Sequence, residues 1–408
     1  MKNWPTAQIR DVARVIGGGT PTRSNSSYYG GDIPWVTPKD MKRWKISESQ
    51  VSITRVGLEN STAKLAPAGS VLVVVRSGVL KHTVPVAIAE CPVAINQDMK
   101  AIICSERLES SFLAHFIKER SSEILQWVRA TTADNFPIGN LMNVRIPLPP
   151  LSEQRRVVDI LDCVDVLRAR RRQTISLLED LAQSIFLSMF GNVVSNNQGW
   201  SAGQVKDLVA KFTSGKSFAA AENDDAAVRY RILKVSAVTS GRFDAEESKP
   251  VPVEYNPPLS HIVRDGDLIF SRANTESLIG ATALAVNPPS NLLLPDKLWR
   301  FVWHSDRPAH PLYVRQLFLQ AEFRREISRR SSGTSGSMKN ISQSSVLSIP
   351  CGIPPLELQH QYGKRIEALE KVADLHRAHL VQLDALFTSL RHHMFRDGSG
   401  SDNAVSAA

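Results

Sequence analysis

Residues 149–190 read PPLSEQRRVVDILDCVDVLRARRRQTISLLEDLAQSIFLSMF, and residues 354–395 read PPLELQHQYGKRIEALEKVADLHRAHLVQLDALFTSLRHHMF. Set against each other without a gap at an offset of 205, the two stretches share ten identities in 42 positions. They are Pro149, Pro150, Leu151, Gln154, Arg172, Leu178, Leu181, Ser184, Met189 and Phe190 with their partners, and they span both ends in one register. Conservative pairs such as Leu161/Ile366 and Val164/Leu369 add to them. A repeat of this length decides the architecture before any single element is assigned.

Each copy places two prolines immediately before a long helical pattern, where a missing backbone N–H costs least. In the first copy Ile160, Val164, Leu167, Leu178, Leu181 and Ile185 recur at spacings of three and four; in the second, Leu369, Val372, Leu383, Leu386 and Leu390 follow the same register. That is a coiled-coil seam. Its middle turns polar in both copies, at Arg171 and Thr174 and at His376 and His379. Two readings follow: two amphipathic helices each packed on its own domain, or two helices pairing antiparallel so that the polar middles meet and fix the register. In the second reading Arg171 and His376 belong to the pairing set with the apolar residues above. Near 40 residues each, the helices would reach about 60 Å, a length suited to a spacer.

Working outward, the segments before the helices match more faintly. Trp4–Asp11 parallels Trp200–Asp207, Gly69–Val73 parallels Gly266–Phe270, and Gln97-Asp98 parallels Pro295-Asp296. Short strands are expected at Val71–Arg76, Val84–Ala89 and Met99–Cys104, with a helix over Phe112–Val128. Their counterparts are Leu268–Phe270, Ala281–Val286, Leu298–Trp303 and a helix over Pro311–Arg329. Glycine-containing polar loops, Gly17–Gly31 and Ser331–Asn340, lie between them. The expected fold class is therefore α/β (α+β): two tandem globular domains, each followed by a long helix, the helices pairing as an antiparallel coiled coil. The boundaries are 1–150 and 193–353 for the domains, 151–192 and 354–397 for the helices, with a disordered tail at 398–408.

The chain has 408 residues, 49 Lys and Arg against 40 Asp and Glu, and a formal charge of +9. Both helices hold six basic and six acidic residues; residues 1–151 carry +6 and residues 193–356 carry +4. The run Arg168-Ala169-Arg170-Arg171-Arg172 thus reads as a solvated helix face flanked by acids. The excess sits on the two domains, where it favours an anionic partner. No stretch approaches the roughly 18 apolar residues of a membrane span, and Met1–Asp11 lacks the apolar core of a signal peptide. Four scattered cysteines suggest neither disulfides nor zinc, so a reduced, cytoplasmic protein is expected.

Two motifs imitate enzymes. Ala210 to Ser217, ending Gly215-Lys216-Ser217, fits a relaxed phosphate-binding loop, but it falls opposite Gly17-Gly18-Gly19-Thr20-Pro21, with Gly215 against Gly19, and no lysine follows there. Asn256-Pro257-Pro258-Leu259 and Asn287-Pro288-Pro289-Ser290 lack the aromatic that a base-flipping methyltransferase stacks on its target. Both read as turns. No hydrolase or metal motif is present. The sequence points to no catalytic residue, no metal and no cofactor, and elimination leaves a binding protein.

Ile146-Pro-Leu-Pro-Pro-Leu-Ser-Glu-Gln-Arg-Arg156 before a long helix, with its degenerate second copy, resembles the conserved regions of type I restriction–modification specificity (S) subunits. Gly19-Thr20-Pro21-Thr22 and Tyr28-Tyr29-Gly30-Gly31-Asp32-Ile33-Pro34-Trp35 are similar to the start of their target recognition domains. The second copy departs from the pattern, with Leu358-Gln359-His360-Gln361 in place of Glu153-Gln154-Arg155-Arg156. The resemblance covers nearly the whole chain. It implies a non-catalytic subunit whose two domains each read half of a split site on double-stranded DNA, while the helices act as a ruler. It also implies two modification (methyltransferase) subunits as partners, joined by restriction (translocase/nuclease) subunits. A stand-alone methyltransferase or nuclease, or a coiled-coil adaptor without a DNA role, are the alternatives. The candidate DNA contacts are Thr20, Ser24, Lys39, Lys42, Arg43, Arg76, Ser77 and Lys81 in the first domain. In the second they are Lys216, Lys234, Arg272, Asn274, Thr334, Ser337 and Lys339.

Overall fold

A computed structural model describes residues 4–129, 134–218, 229–333 and 338–396. Thr334, Ser337 and the tail at 398–408 lie outside the described residues. The chain divides into two compact units, one of residues 1–172 with 378–408, the other of residues 173–377.

In unit 1 the strand Ala13–Gly17 pairs with Met99–Cys104, which pairs in turn with Val71–Val74 and then Val86–Ala89, all antiparallel; Lys45–Ile46 closes the far edge in parallel. Strand Val86–Ala89 starts two residues later than the sequence suggests because Pro85 has no N–H for the ladder; its carbonyl instead accepts from Val74. A second sheet, missed by the strand pattern because most of its strands are two or three residues long, carries Tyr29–Val36 between Ser52–Ile53 and Val93–Ile95. Unit 2 repeats the first arrangement with Val209–Ser214, Leu298–Trp303, Leu268–Ser271 and Thr282–Leu284.

The faint repeat at the start of each copy has a structural counterpart. Thr6–Gln8 pairs with Arg145–Pro147, and Ser201–Gln204 pairs with Pro350–Ile353, each clipping the beginning of a domain to the strand before its long helix. Both turns close with an aspartate, Asp11 accepting from the Gln8 backbone and Asp207 from that of Gln204.

Each expected domain helix is broken into two. Ser110–Glu119 and Ser121–Gln126 meet at Arg120, and Pro311–Leu319 and Ala321–Arg330 meet at Gln320, whose backbone is extended at φ −62°, ψ 135°. The bend turns the second segment so that Ile124, or Phe323 and Ile327, also enter the core.

The long helices are Leu151–Phe190 and Leu356–Arg396. Within unit 1, Val157, Leu161 and Val164 share a core with Phe387 and Phe395, and the Arg168 guanidinium donates from Nε to Asp384 at 2.6 Å. Within unit 2, Tyr362 and Ile366 pack with Phe186 and Phe190, and Arg377 bonds Glu179 at 3.0 Å. Early residues of one helix thus meet late residues of the other in each unit, which is antiparallel pairing.

The buried face departs from the expected seam. Val164, Ile185, Leu369, Leu383 and Leu390 pack on the cores, and Ile160, Arg171, Leu178 and His376 are half-buried. Leu167, Leu181, Val372 and Leu386 instead face solvent, 41–46% exposed. The inner stripe runs Val157, Leu161, Val164, Arg168, also at heptad spacing but turned by one residue, with Leu161 and Arg168 in the places expected of Ile160 and Leu167. Of the basic run, Arg168 pairs with Asp165 and Asp384, and Arg172 with Asp384, as a helix face rich in both signs should.

One buried side chain fixes each helix to its domain. Gln154 Nε2 donates to the carbonyls of Pro149 (2.8 Å) and Arg107 (2.9 Å), while its Oε1 accepts from the Glu109 backbone. Gln359 Nε2 donates to Pro354, and its Oε1 accepts from the His310 backbone. Glu109 and His310 are themselves the N-caps of the domain helices, Glu109 through its carboxylate and His310 through Nδ1, which accepts from Leu312 N–H.

That exchange gives unit 2 an acid-sensitive cap. Burial, with His360 beside it, holds the His310 pKa below the usual imidazole value, against a smaller opposing pull from Glu367. A depressed folded pKa means stability is complete above the unfolded value of about 6.5 and is lost as pH falls toward the folded pKa, because the unfolded chain takes up its proton first. A protonated Nδ1 also cannot accept from Leu312. Urea midpoints followed by hydrogen exchange should fall for unit 2 amides as pH drops below about 6.5, and His310→Asn, which caps without titrating, should flatten that slope. Equal slopes in the variant and the parent would remove His310 as the cause.

Candidate nucleic-acid interface

The expected contact residues of unit 1 fall into two groups. Thr20, Arg76 and Ser77 gather at the start of strand Met99–Cys104. The Thr20 hydroxyl donates to Gln97 Oε1, and Arg76 Nε donates to Asp98 at 2.6 Å. Ser77 takes the Val79 N–H at 3.4 Å and begins the 3-10 turn Gly78–Lys81, which leaves Lys81 exposed at its end. Lys39, Lys42 and Arg43 are exposed on the opposite side of the sheet, in the turn leading to its edge strand Lys45–Ile46. Asp40 organises that turn through the Thr37 and Gln50 backbone N–H groups, and Arg43 meets Glu48 at 2.8 Å. Ser24 is exposed and bonds to neither group.

Unit 2 builds the first group again with different residues. The Ser217 hydroxyl donates to Asp296 Oδ1, next to the exposed Lys216, whose Nζ lies 5.4 Å from the centre of the Phe218 ring. Arg272 Nε donates to the Asp296 carbonyl at 2.8 Å, with its guanidinium facing Trp299. Two residues on, Asn274 pairs with Lys339 in a short ladder, and Lys339 Nζ reaches Glu276 at 2.9 Å. Asn274 is buried, its Oδ1 accepting from Thr275 N–H, so its amide is tied into the turn. Lys234 stands apart at the end of another strand, 3.8 Å from Glu247.

The hydrogen bonds correct the sequence register by one residue. Ile16 faces Ala101 and Thr213 faces Arg300, so Gly215 corresponds to Gly18 rather than Gly19, and Asp296 to Gln97 rather than Asp98. Both glycines are needed for close approach. A Cβ on Gly18 would lie 2.1 Å from the Asn96 carbonyl oxygen, and one on Gly215 would lie 1.7 Å from that of Leu294. The relaxed phosphate-loop glycine is thus a packing device against a strand end. Gly215→Ala should destabilise unit 2 by about 3 kcal/mol, the upper range for overpacking, because backbone rather than a mobile side chain must move. Thermal melts of this variant beside Gly78→Ala, a site with open space around it, would check the comparison; equal melting points would contradict it.

One feature went unread in the sequence. Arg129 bridges to Asn135, and Asn135 also bridges to Arg76. In unit 2 Ser332 bridges to Asn340, which pairs with Ala273 beside Arg272. The bridge of Ser332 to Asn340 thus lies beside an arginine, and that of Arg129 to Asn135 is its counterpart. The signal was available: the offset of 205, carried upstream from Pro149, sets Asn135 on Asn340.

Both asparagine-proline motifs are turns. Asn287 takes positive φ (47°) with its N–H on Asp265, and Leu259–His261 forms a 3-10 turn. Among the described residues no cluster of three or more His, Cys, Asp or Glu is placed to hold a metal, and no helix is long and apolar enough to cross a membrane.

Two copies of a mixed α/β domain on antiparallel helices, each with an arginine beside a bridge at one strand end, define a duplicated scaffold. Residues 1–178 match the family described as type I restriction modification DNA specificity domain. The EcoR124I/EcoR124II specificity subunit of Escherichia coli is 36% identical over 45% of this chain and 44% of its own length. The EcoKI specificity subunit of Escherichia coli K12 is 24% identical over 91% of this chain and 83% of its own. In the first comparison the chain thus spans less than half of its relative. The crystal structure of an S subunit from M. genitalium shares the fold across 96% of both chains, with a TM-score of 0.57 at 13% identity. Over residues 1–178 the chain matches that family, and along most of its length it is similar to type I restriction enzyme specificity subunits.

Proposed function

We propose that this chain is the DNA-recognition subunit of a cytoplasmic type I restriction–modification complex, without catalytic activity of its own. Each unit reads one half of a bipartite site, and the paired helices set the length of the unread spacer. The observation that carries this reading is the duplication itself. An arginine, a hydroxyl and a bridge gather at the same strand end of both diverged domains, Arg76 and Arg272 standing one position apart in the ladder, while the helices keep their identities. Two sites with different side chains on a shared scaffold suit two different half-sites. The +6 and +4 charges of the domains supply salt-dependent phosphate affinity, and groove-facing side chains supply the choice of base.

Two modification subunits, and restriction subunits beyond them, are the partners this reading requires. The exposed apolar residues of the helices, Leu167 and Leu386 in unit 1 and Leu181 and Val372 in unit 2, offer them a seat. Methylome sequencing of the host with and without the gene should show one bipartite motif that vanishes with the chain. Methyl transfer by the purified chain alone would defeat the non-catalytic assignment, and the absence of any gene-dependent motif would defeat the recognition role.

A further inference from the structure

Unit 2 contains a cleft of about 480 Å³ between its stretch of the long helices and the helix Pro311–Leu319. Leu178, Ala182, Leu369 and Ala373 line it from the long helices and Leu319 from the domain, with the buried Gln316 in its wall. Unit 1 shows what the corresponding space holds. The offset of 205 sets Ala182 on Phe387 and Ala373 on Arg168. Counting from the caps Glu109 and His310 sets Gln316 on His115. In unit 1 these larger residues close together. The His115 ring centre lies 4.6 Å from that of Trp44 and 6.3 Å from that of Phe387, and the Arg168 guanidinium covers Phe387 at 4.5 Å. One copy thus carries an internal aromatic stack where the other, with two alanines, opens a cleft.

We propose that the cleft of unit 2, which Phe243 also lines, binds a planar aromatic side chain presented by a partner protein, in the role that Phe387 fills within unit 1. Its volume falls in the range of small-ligand sites, and although polar groups make up about half of its lining, the stretch formed by Leu178, Ala182, Leu319, Leu369 and Ala373 rewards burial of a ring. The charges around it are already matched, Arg315 with Glu370 at 2.5 Å and Asp374 with both Arg242 and Arg377, so the rim favours a neutral group. The exposed side chains of Leu181 and Val372 adjoin Ala182 and Ala373 in the chain, adding apolar surface that a protein covers and a free small molecule leaves wet. Naming that protein as a modification subunit rests on the function proposed above; the aromatic site does not.

Indole is a suitable probe, titrated into the full chain by calorimetry or ligand-detected NMR. It should bind the parent and lose at least tenfold in affinity in Ala182→Phe, which restores the ring of unit 1, and in Ala373→Leu, a smaller filling that guards against misfolding of the first. Thermal melts should show both variants folded. With purified modification subunits, Ala182→Phe should weaken assembly at least tenfold. No indole binding, or binding undiminished in both variants, overturns the site. Indole lost while assembly is unchanged overturns the protein-borne occupant in favour of a free aromatic molecule. If the parent chain does not assemble with modification subunits at all, the functional reading fails, and the indole titration still decides the site.

Discussion

Gln154→Leu should destabilise unit 1 by about 3–5 kcal/mol. Leucine nearly preserves the volume, so the loss is one of hydrogen bonds rather than packing. Three backbone groups, the carbonyls of Arg107 and Pro149 and the N–H of Glu109, share this one amide as a partner. A buried polar group stripped of its partner costs roughly 1–3 kcal/mol, and the Gln154 side chain is fully buried. Gln359→Leu should cost less, about 2–4 kcal/mol on the same scale, because its amide bonds two backbone groups, Pro354 and His310. Gln361→Leu, on an exposed turn of the second helix, is the control and should stay within about 0.5 kcal/mol. Native-state hydrogen exchange separates the units, so each variant should lower protection in its own unit. If Gln154→Leu matched the control, the amide would not be what holds the helix to its domain.

The two glutamines also show how far the sequence carries. They stand out as identities at an offset of 205, and the proline pair before them marks where each long helix begins. Helix periodicity and a shared offset are local properties of a chain, so they can be read without coordinates. Which face of a helix is covered is not local. Leu167, Leu181, Val372 and Leu386 recur at coiled-coil spacing yet point to solvent, since these helices carry apolar residues on more than one face. Their own contacts follow Val157, Leu161 and Val164 instead. The breaks at Arg120 and Gln320 escaped notice because neither proline nor glycine marks them; the core beyond the bend decides them.

The candidate sites divide in the same way. Arg76, Arg272 and Thr20 were legible as polar residues near glycine-rich turns. Their partners, Gln97, Asp98 and Asp296, were visible as a faint parallel but one residue out of register, because the hydrogen-bond ladder that fixes it is a long-range fact. The bridge of Arg129 to Asn135 is hidden for a different reason. The sequence around it looks ordinary, and only its counterpart at 332–340 gives it meaning. Lys234, set apart from the Arg272 group, shows the converse: a basic residue in a plausible loop that its surroundings do not bring to the others.

Arg76→Ala, assayed in the assembled modification complex, should lower methylation of the parent site by about 10- to 100-fold and relax base preference in one half-site only. Arg272→Ala should do the same to the other half. Asp98 holds the Nε side of the Arg76 guanidinium, and the Asp296 carbonyl holds that of Arg272. A guanidinium fixed on one edge keeps its outer edge free and loses little further entropy on contact, which suits bidentate bonding to a base, and such a contact discriminates by about 1–3 kcal/mol. Asp98→Asn removes the charge that orients Arg76 and should relax the same positions more weakly. Lys39 and Lys42 are exposed and their neighbourhood is organised by Asp40 rather than by themselves, as expected of phosphate contacts. Their alanine variants should weaken binding alike at every sequence and reduce the salt slope by about one each. The methylome distinguishes the two kinds of contact. Uniform loss across all positions in Arg76→Ala would reassign it to the phosphates, and an unchanged motif at unchanged efficiency would remove it from the interface.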